Sequence, residues 1–343
     1  MRLAVTGSGS FLGGRLLPRL VEARGPDQVV AIDVGPPPAA VRARWRQVDL
    51  TEPASDQRLL DVFREEEVDT AVHLAFFTRP RKDTTYAHEL ESIGTLNLLA
   101  AAAAAGVAHV VLRSWTAVYG ARGQNPNHLT EEMPLQGAPG LSWMRDKLEA
   151  EQHAAAFARR YPHMAVTVLR MATLFGPGVR TFYTRLFDRR LLPVLLGYDP
   201  LVQLLHPDDA VSALVAALAK PRAGAFNVVP ARPIPLLSAL HLAEKVPVPV
   251  AHPIAYAAAD LLWAAGVGHA PAGFVDYVRF PFVADGEKAC RELGFIARHS
   301  SRDALLGYLR YRHPRAHDGL DDERERSHGA DPGAPDDPVE AGA

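Results

Sequence analysis

Apolar and polar positions along the first half of the chain alternate between two textures. Short apolar or β-branched runs, Leu3–Thr6, Val29–Asp33, Thr70–Leu74, His109–Arg113 and Val166–Arg170, are separated by stretches with helical spacing. Such runs fit strands buried on both faces, and the amphipathic stretches between them supply the cover. The pattern predicts repeated βαβ units, hence an α/β fold built on a doubly wound parallel sheet. Leu96, Leu98, Leu99 and the alanines at 101–105 predict a buried helix that Gly106 stops. After Pro177 strands become sparse and prolines crowd in, among them Pro193, Pro200, Pro207, Pro221, Pro230, Pro233 and Pro235. That change predicts a smaller, mostly helical second lobe, with Ser301–Tyr311 as its last helix.

The 343 residues accommodate two such lobes, at roughly 150 residues per domain. The expected division is 1–176 for the first, 177–314 for the second and 315–343 for a disordered tail. The tail carries nine acidic and three basic side chains and almost no large apolar ones, too little to offset its ordering entropy. The whole chain has a formal net charge of −2, so removing the tail leaves the body weakly basic. This balance suits an anionic small ligand and excludes nucleic acid and an anionic membrane as expected partners. Cys290 is the sole cysteine, which points to a reducing, cytoplasmic setting without disulfides. The chain shows no signal-peptide pattern and no run of about 18 uncharged apolar residues.

Candidate chemistry begins at the end of the first strand, with Thr6-Gly7-Ser8-Gly9-Ser10-Phe11-Leu12-Gly13. A strand that turns sharply into a helix aims backbone N–H groups at one spot beside the helix's positive end, where a pyrophosphate fits. Gly7 makes the turn, Gly9 or Ser10 faces the phosphates, and Gly13 lets the helix pack close. Asp33 follows Gly13 by 20 residues, at the end of the second strand, where a carboxylate accepts both ribose hydroxyls and repels a 2′-phosphate. This Rossmann-type arrangement predicts NAD in preference to NADP, with Asp49 and Leu50 framing the adenine.

Further strings extend the pattern: Val72-His73-Leu74-Ala75, Gly94-Thr95-x-Asn97-Leu98-Leu99, Val118-Tyr119-Gly120, Phe175-Gly176-Pro177-Gly178 and Leu205-His206-Pro207-Asp208-Asp209-Ala210. Asp285-x-x-Lys288-Ala289-x-x-Glu292-Leu293-Gly294-Phe295 closes it. In this order they resemble the extended short-chain dehydrogenase/reductase family, also called the NAD-dependent epimerase/dehydratase family. The resemblance implies that Leu74 and Ala75 join the cofactor site and that the second lobe binds substrate. It also implies a catalytic Ser or Thr after the fifth strand and a Tyr-x-x-x-Lys pair on a helix. The tyrosine exchanges the proton, and the lysine lowers its pKa and holds the nicotinamide ribose.

The chain departs from that pattern at both hydroxyls. The helix reads Trp143-Met144-Arg145-Asp146-Lys147, and the Ser/Thr position is Trp115, flanked by Ser114 and Thr116. Glu91 stands where the family usually has Asn. Indole N–H donates a hydrogen bond but is neither acid nor base near neutrality. Three readings follow. One is an enzyme with Thr116 or Ser114 as hydroxyl, Lys147 retained, and Glu91 or Tyr119 as acid/base, although Tyr119 reads better as structural. The second is a non-catalytic NAD-binding protein, a sensor or assembly partner. The third is an enzyme whose larger apolar substrate stacks between the tryptophans.

By resemblance, the expected activity is that of an NAD-dependent epimerase, dehydratase or reductase on a nucleotide-sugar-type or related small hydroxyl or carbonyl substrate. No metal site is expected, since His88-Glu89-x-x-Ser92 lacks a second histidine. His206 and the aspartates after it read as a brace between lobes. Arg79, Arg81 and Lys82 form a basic loop near the expected pocket, and a second copy of the chain is allowed as a partner. One prediction follows from composition alone. A chain ending at Pro314 keeps its melting temperature within about 2 °C of the full length by calorimetry; a larger fall would show that the tail packs on the body.

Overall fold

Leu3, Ala4 and Val5 of the first strand are completely buried, as a central strand covered on both faces requires. Alternate residues serve opposite layers: Leu3 and Val5 pack on one side of the sheet, Ala4 on the other. The computed structural model describes residues 2–312 apart from 39, 78–82, 139, 231 and 269. The basic loop and the acidic tail lie outside the described residues.

The strands of the first lobe are β1 (Arg2–Thr6), β2 (Val29–Asp33), β3 (Arg44–Gln47), β4 (Val68–His73), β5 (His109–Trp115) and β6 (Ala165–Met171). Its helices are α1 (Phe11–Arg24), α2 (Ser55–Glu65), α3 (Thr84–His88), α4 (Gly94–Ala105) and α5 (Ser142–Arg160). A single π-helical turn, Glu89–Ile93, joins α3 to α4. Gly106 ends α4 in the left-handed conformation at φ 77°. The chain continues with β7 (Thr173–Leu174), α6 (Phe182–Phe187), β8 (Leu191–Leu195), β9 (Leu201–Val202), β10 (Leu204–Leu205) and α7 (Pro207–Ala219). It ends with β11 (Gly224–Val228), β12 (Ile234–Pro235), α8 (Leu236–Leu242), β13 (Val246–Val250), α9 (His252–Ala264) and α10 (Ser301–Arg312).

Seven strands form one parallel sheet in the order β11-β6-β5-β4-β1-β2-β3. The order reverses between β1 and β4, which places a crevice beyond the carboxyl ends of those strands. Two features differ from the reading of the sequence. Residues beyond 176 return to the first lobe: β11 pairs with β6 at the sheet edge, and α7 buries Ala210, Val211 and Leu214 in the core shared with α1. The second lobe also holds ribbons besides helices, the longest pairing β8 with β13 in parallel. Asp209 accepts from the backbone N–H groups of Arg298 and His299, at 3.0 and 2.9 Å, and the His206 ring stacks on His299 at 4.0 Å. The family string there is a brace.

His73, at the end of β4, pins the centre of the sheet. Thr95 Oγ1 donates its proton to the Glu91 carbonyl at 2.6 Å, so it accepts from His73 Nε2 at 3.2 Å. Nδ1 is then the bare nitrogen and accepts from Thr6 Oγ1 at 2.7 Å. Burial holds the ring neutral, with its pKa lowered to about 3. A folded-state pKa below the unfolded value means that stability is lost as pH falls from about 6.5 toward 3. The expected contribution is about 1.4 kcal/mol per pH unit in that window. Urea unfolding of His73→Gln between about pH 6 and pH 4 should show a slope shallower by that amount, and an unchanged slope would refute it.

Candidate functional site

The crevice begins at Gly7, whose φ is 70° and whose place a Cβ could not share: it would sit 2.5 Å from the Ala75 nitrogen. The backbones after β1 and β4 therefore touch. A Cβ on Gly13 would lie 2.5 Å from the carbonyl oxygens of Gly7 and Ser8, so α1 starts hard against the turn. Ser10 caps α1 and its Oγ accepts from the Gly13 N–H at 3.1 Å. The Asp33 carboxylate accepts from the N–H groups of Gly9 and Val34, both at 2.8 Å, and stands half-buried at the lip.

A cleft of about 400 Å³ opens there, lined among others by Gly7, Gly9, Ser10, Asp33, Asp49, Leu50, Leu74 and Ala75. Asp49 also holds its own turn by accepting from Thr51 N and Oγ1. Phe11 and Leu12 are absent from this lining. Leu12 belongs to the core, and the Phe11 ring lies beneath the Arg15 guanidinium at 4.8 Å. Their contribution is the first-turn N–H groups that no helical carbonyl accepts. Close backbones, a capped helix start and a carboxylate at the end of β2 fit a dinucleotide at its phosphates and adenosine.

Beyond the cleft the expected chemistry is rearranged. Lys147 Nζ donates to both oxygens of Glu91 at 3.0 Å and to the Phe77 carbonyl at 3.4 Å. All three ammonium protons are thereby used, and none is left for a ribose hydroxyl in this arrangement. Glu91 also accepts from Phe77 N at 2.7 Å and from Trp143 Nε1 at 3.3 Å. Burial raises the Glu91 pKa against the pull of Lys147, and burial lowers that of Lys147 against the pull of Glu91. Thr116 opens a short turn after β5, is buried, and does not line the cavity that Trp115 and Ser114 reach. Ser114 Oγ is tied to Glu151, which Arg170 grips at 2.7 and 2.9 Å. Tyr119 accepts from Arg170 and donates to Asn227, both at 2.8 Å, with its pKa pushed up to about 12 by burial. It is structural.

Aromatic rings occupy the place of the hydroxyls. Trp115 and Trp143 lie 5.4 Å apart, Trp115 stacks on Tyr277 at 6.1 Å, and Trp143 stacks on Phe274 at 5.6 Å. Phe76 and Phe77 border both this cavity and the dinucleotide cleft, so the two adjoin. Free space among the rings is about 40 Å³, room for a few waters or a small planar group. Arg113 and Tyr183 line it too, and reading the sequence missed both. Arg113 follows the apolar run Val110–Leu112 within β5, a signal that was visible; Tyr183 gave none. Elsewhere, His88 Nδ1 meets Asp146 at 2.9 Å and Glu149 at 3.5 Å, the one group of metal-ligating types brought together among the described residues.

The model of the NAD dependent epimerase/dehydratase family matches residues 3–229. The chain belongs to this family. An uncharacterised protein of Mycobacterium tuberculosis is 32% identical over 316 residues, covering 90% of this chain and 83% of its own. The 3-diazoavenalumate denitrifying reductase of a Streptomyces species is 36% identical over 188 residues, 51% of this chain and 59% of that one. Among solved structures, MoeE5 in complex with UDP-glucuronic acid and NAD has a TM-score of 0.72 at 23% identity, covering 92% of this chain and 99% of that one. The dTDP-glucose 4,6-dehydratase DesIV of Streptomyces venezuelae, with NAD and TYD bound, has a TM-score of 0.70 at 23% identity, covering 92% and 98%. These structures share the fold. The family is NAD dependent, and the cleft fits that cofactor. No described helix is long and apolar enough to cross a membrane.

Asp33 generates the prediction for this site. NAD binds at least about tenfold more tightly than NADP, because a 2′-phosphate would meet the carboxylate at close range. Asp33→Ser narrows that ratio and weakens NAD, since the Gly9 tether goes with the carboxylate. Calorimetry giving equal affinities for the two cofactors would refute it.

Proposed function

We propose that this protein is a reductase-type member of its family, acting on a planar, apolar acceptor and not on a nucleotide sugar. The observation that carries this is the aromatic lining of Trp115, Trp143 and Phe274, backed by Tyr277 stacked on Trp115 and adjoining the dinucleotide cleft at Phe76 and Phe77. A sugar presents hydroxyls that lose water on burial and need partners, and the two indole N–H groups here are already given to Thr173 and Glu91. A flat conjugated body loses nothing against such rings. Epimerisation and dehydration need a group that takes a hydroxyl proton, and tryptophan takes none.

The reduced cofactor supplies a hydride when bound. The tryptophans hold the acceptor flat, Phe76 and Phe77 stand at the junction, and the proton comes from Lys147 Nζ, which lines the cavity and gives up one of its hydrogen bonds to supply it. Burial holds its pKa below the ordinary lysine value, which makes it the readier to release a proton. The denitrifying reductase among the relatives supports the reductase branch.

A second reading rests on the 40 Å³ of free space: the rings fill an abandoned site, and the protein binds the dinucleotide without turnover. One assay separates them. NADH oxidation is followed with aryl aldehydes, aryl enones, UDP-glucose and dTDP-glucose. The expected result is turnover of an aryl acceptor alone, with Trp143→Ala lowering kcat/KM by about two- to tenfold and leaving NADH affinity unchanged. Tight NADH binding with no turnover supports the second reading. Conversion of either nucleotide sugar overturns both.

A further inference from the structure

The cavity contains a guanidinium whose hydrogen bonding the protein leaves incomplete. Glu91 is held by Lys147, and Glu151 by Arg170 and Ser114. Arg113 lines the cavity within the field of Glu91, a carboxylate already bonded to Lys147, and its buried Nε has no hydrogen-bond partner among the described residues. The Tyr183 hydroxyl in the same lining is likewise buried and without a partner. A lone ion is expensive to desolvate, and each unmade hydrogen bond adds to the cost. Two orphaned donors in one small aromatic cavity call for a single acceptor group carrying negative charge.

We infer that Arg113 and Tyr183 form a carboxylate pocket, so that the ligand of this cavity is a planar apolar acid such as an aryl or arylacrylic carboxylate. This deepens the proposed function and rests on its reading of the cavity as a substrate site. The free space, about 40 Å³, suits a carboxylate group. The body of the ligand then runs along the tryptophans toward Phe76 and Phe77, which also border the dinucleotide cleft. Burial lowers the Arg113 pKa, although Glu91 opposes it, and raises that of Tyr183. An arriving anion reverses the first effect, while the neutral phenol stays a donor. A guanidinium meets a carboxylate with parallel N–H bonds, a geometry that lysine cannot reproduce.

The test uses the full chain saturated with NAD and reads ligand binding by quenching of tryptophan fluorescence, confirmed by calorimetry. The probes are trans-cinnamate, its neutral isostere trans-cinnamamide, and glucuronate. Cinnamate is expected to bind about 10- to 100-fold more tightly than the amide. Arg113→Met should bring the two within about twofold, and Tyr183→Phe should cost cinnamate about two- to tenfold. Arg113→Met without ligand should melt no lower than the native chain, because a desolvated guanidinium with an unmade hydrogen bond has been removed and Glu91 keeps Lys147. Equal affinity of the native protein for acid and amide overturns the inference. So does a variant Arg113→Met that loses NAD while still preferring the acid, which would assign the guanidinium to the cofactor. Preference for glucuronate over cinnamate overturns the apolar half. Binding is read without turnover, so an inactive protein that still selects cinnamate overturns the reductase reading and leaves this one standing.

Discussion

The site depends on one buried carboxylate. Glu91 draws the Phe77 N–H, the Trp143 indole and the Lys147 ammonium to a single point, and so ties the loop after β4 and the helix α5 to the π-helical turn that carries it. A charge in that position is tolerable only while its partners stay in place; breaking such a pair costs about 3–5 kcal/mol. The loop carrying Phe76 and Phe77 is therefore fixed where the cofactor cleft meets the aromatic cavity. Lys147, which the resemblance gives to cofactor and tyrosine, is bonded here to Glu91 and the Phe77 carbonyl. With the tyrosine gone as well, the pair leaves the cavity to rings and to Arg113.

Much of this was legible along the chain, and the pattern of success has a physical basis. The strands, the start of α1 after the glycine turn, the turn at Gly7 and the carboxylate at Asp33 are local consequences of backbone geometry, fixed by residues a few positions apart or one βα unit away. The two tryptophans were legible as departures, because the motif around them was intact. What they do was not. Glu91 and Lys147 are separated by 56 positions, and the π-helical turn that aims Glu91 inward has no marker in composition. Thr116 looked like a spare hydroxyl, but the turn that follows Trp115 buries it outside the cavity. The division at 176 looked natural because texture changes there, yet texture does not say which sheet a later strand will join.

The second lobe shows how one cavity can be walled by distant parts of the sequence. Trp115 ends β5 and Trp143 starts α5, whereas Phe274, and Tyr277 stacked on Trp115 outside the lining, come from a short 3₁₀ segment more than a hundred residues later. Tyr277 also donates to the Ala117 carbonyl at 2.8 Å, fastening that segment to the turn after β5. The aromatic wall thus holds the lobes together as well as lining the space between them. A substitution that thins it would loosen the junction along with the pocket.

The return of β11 to the edge of the sheet has a consequence for how the protein is made. While the chain emerges from the ribosome, β6 can pair with β5 as soon as residue 171 is free, but its other edge has no neighbour until Gly224–Val228 arrives. For that interval of some fifty residues a strand of buried character, with Val168 and Leu169 in it, stands with open N–H and C=O groups. α7, which covers the same side of the core, is also still to come. The first lobe is thus completed only after α6 to β10 of the second have been made, even though its sequence comes first. The nascent chain must keep that edge from other strands until its own tail end of the sheet is delivered.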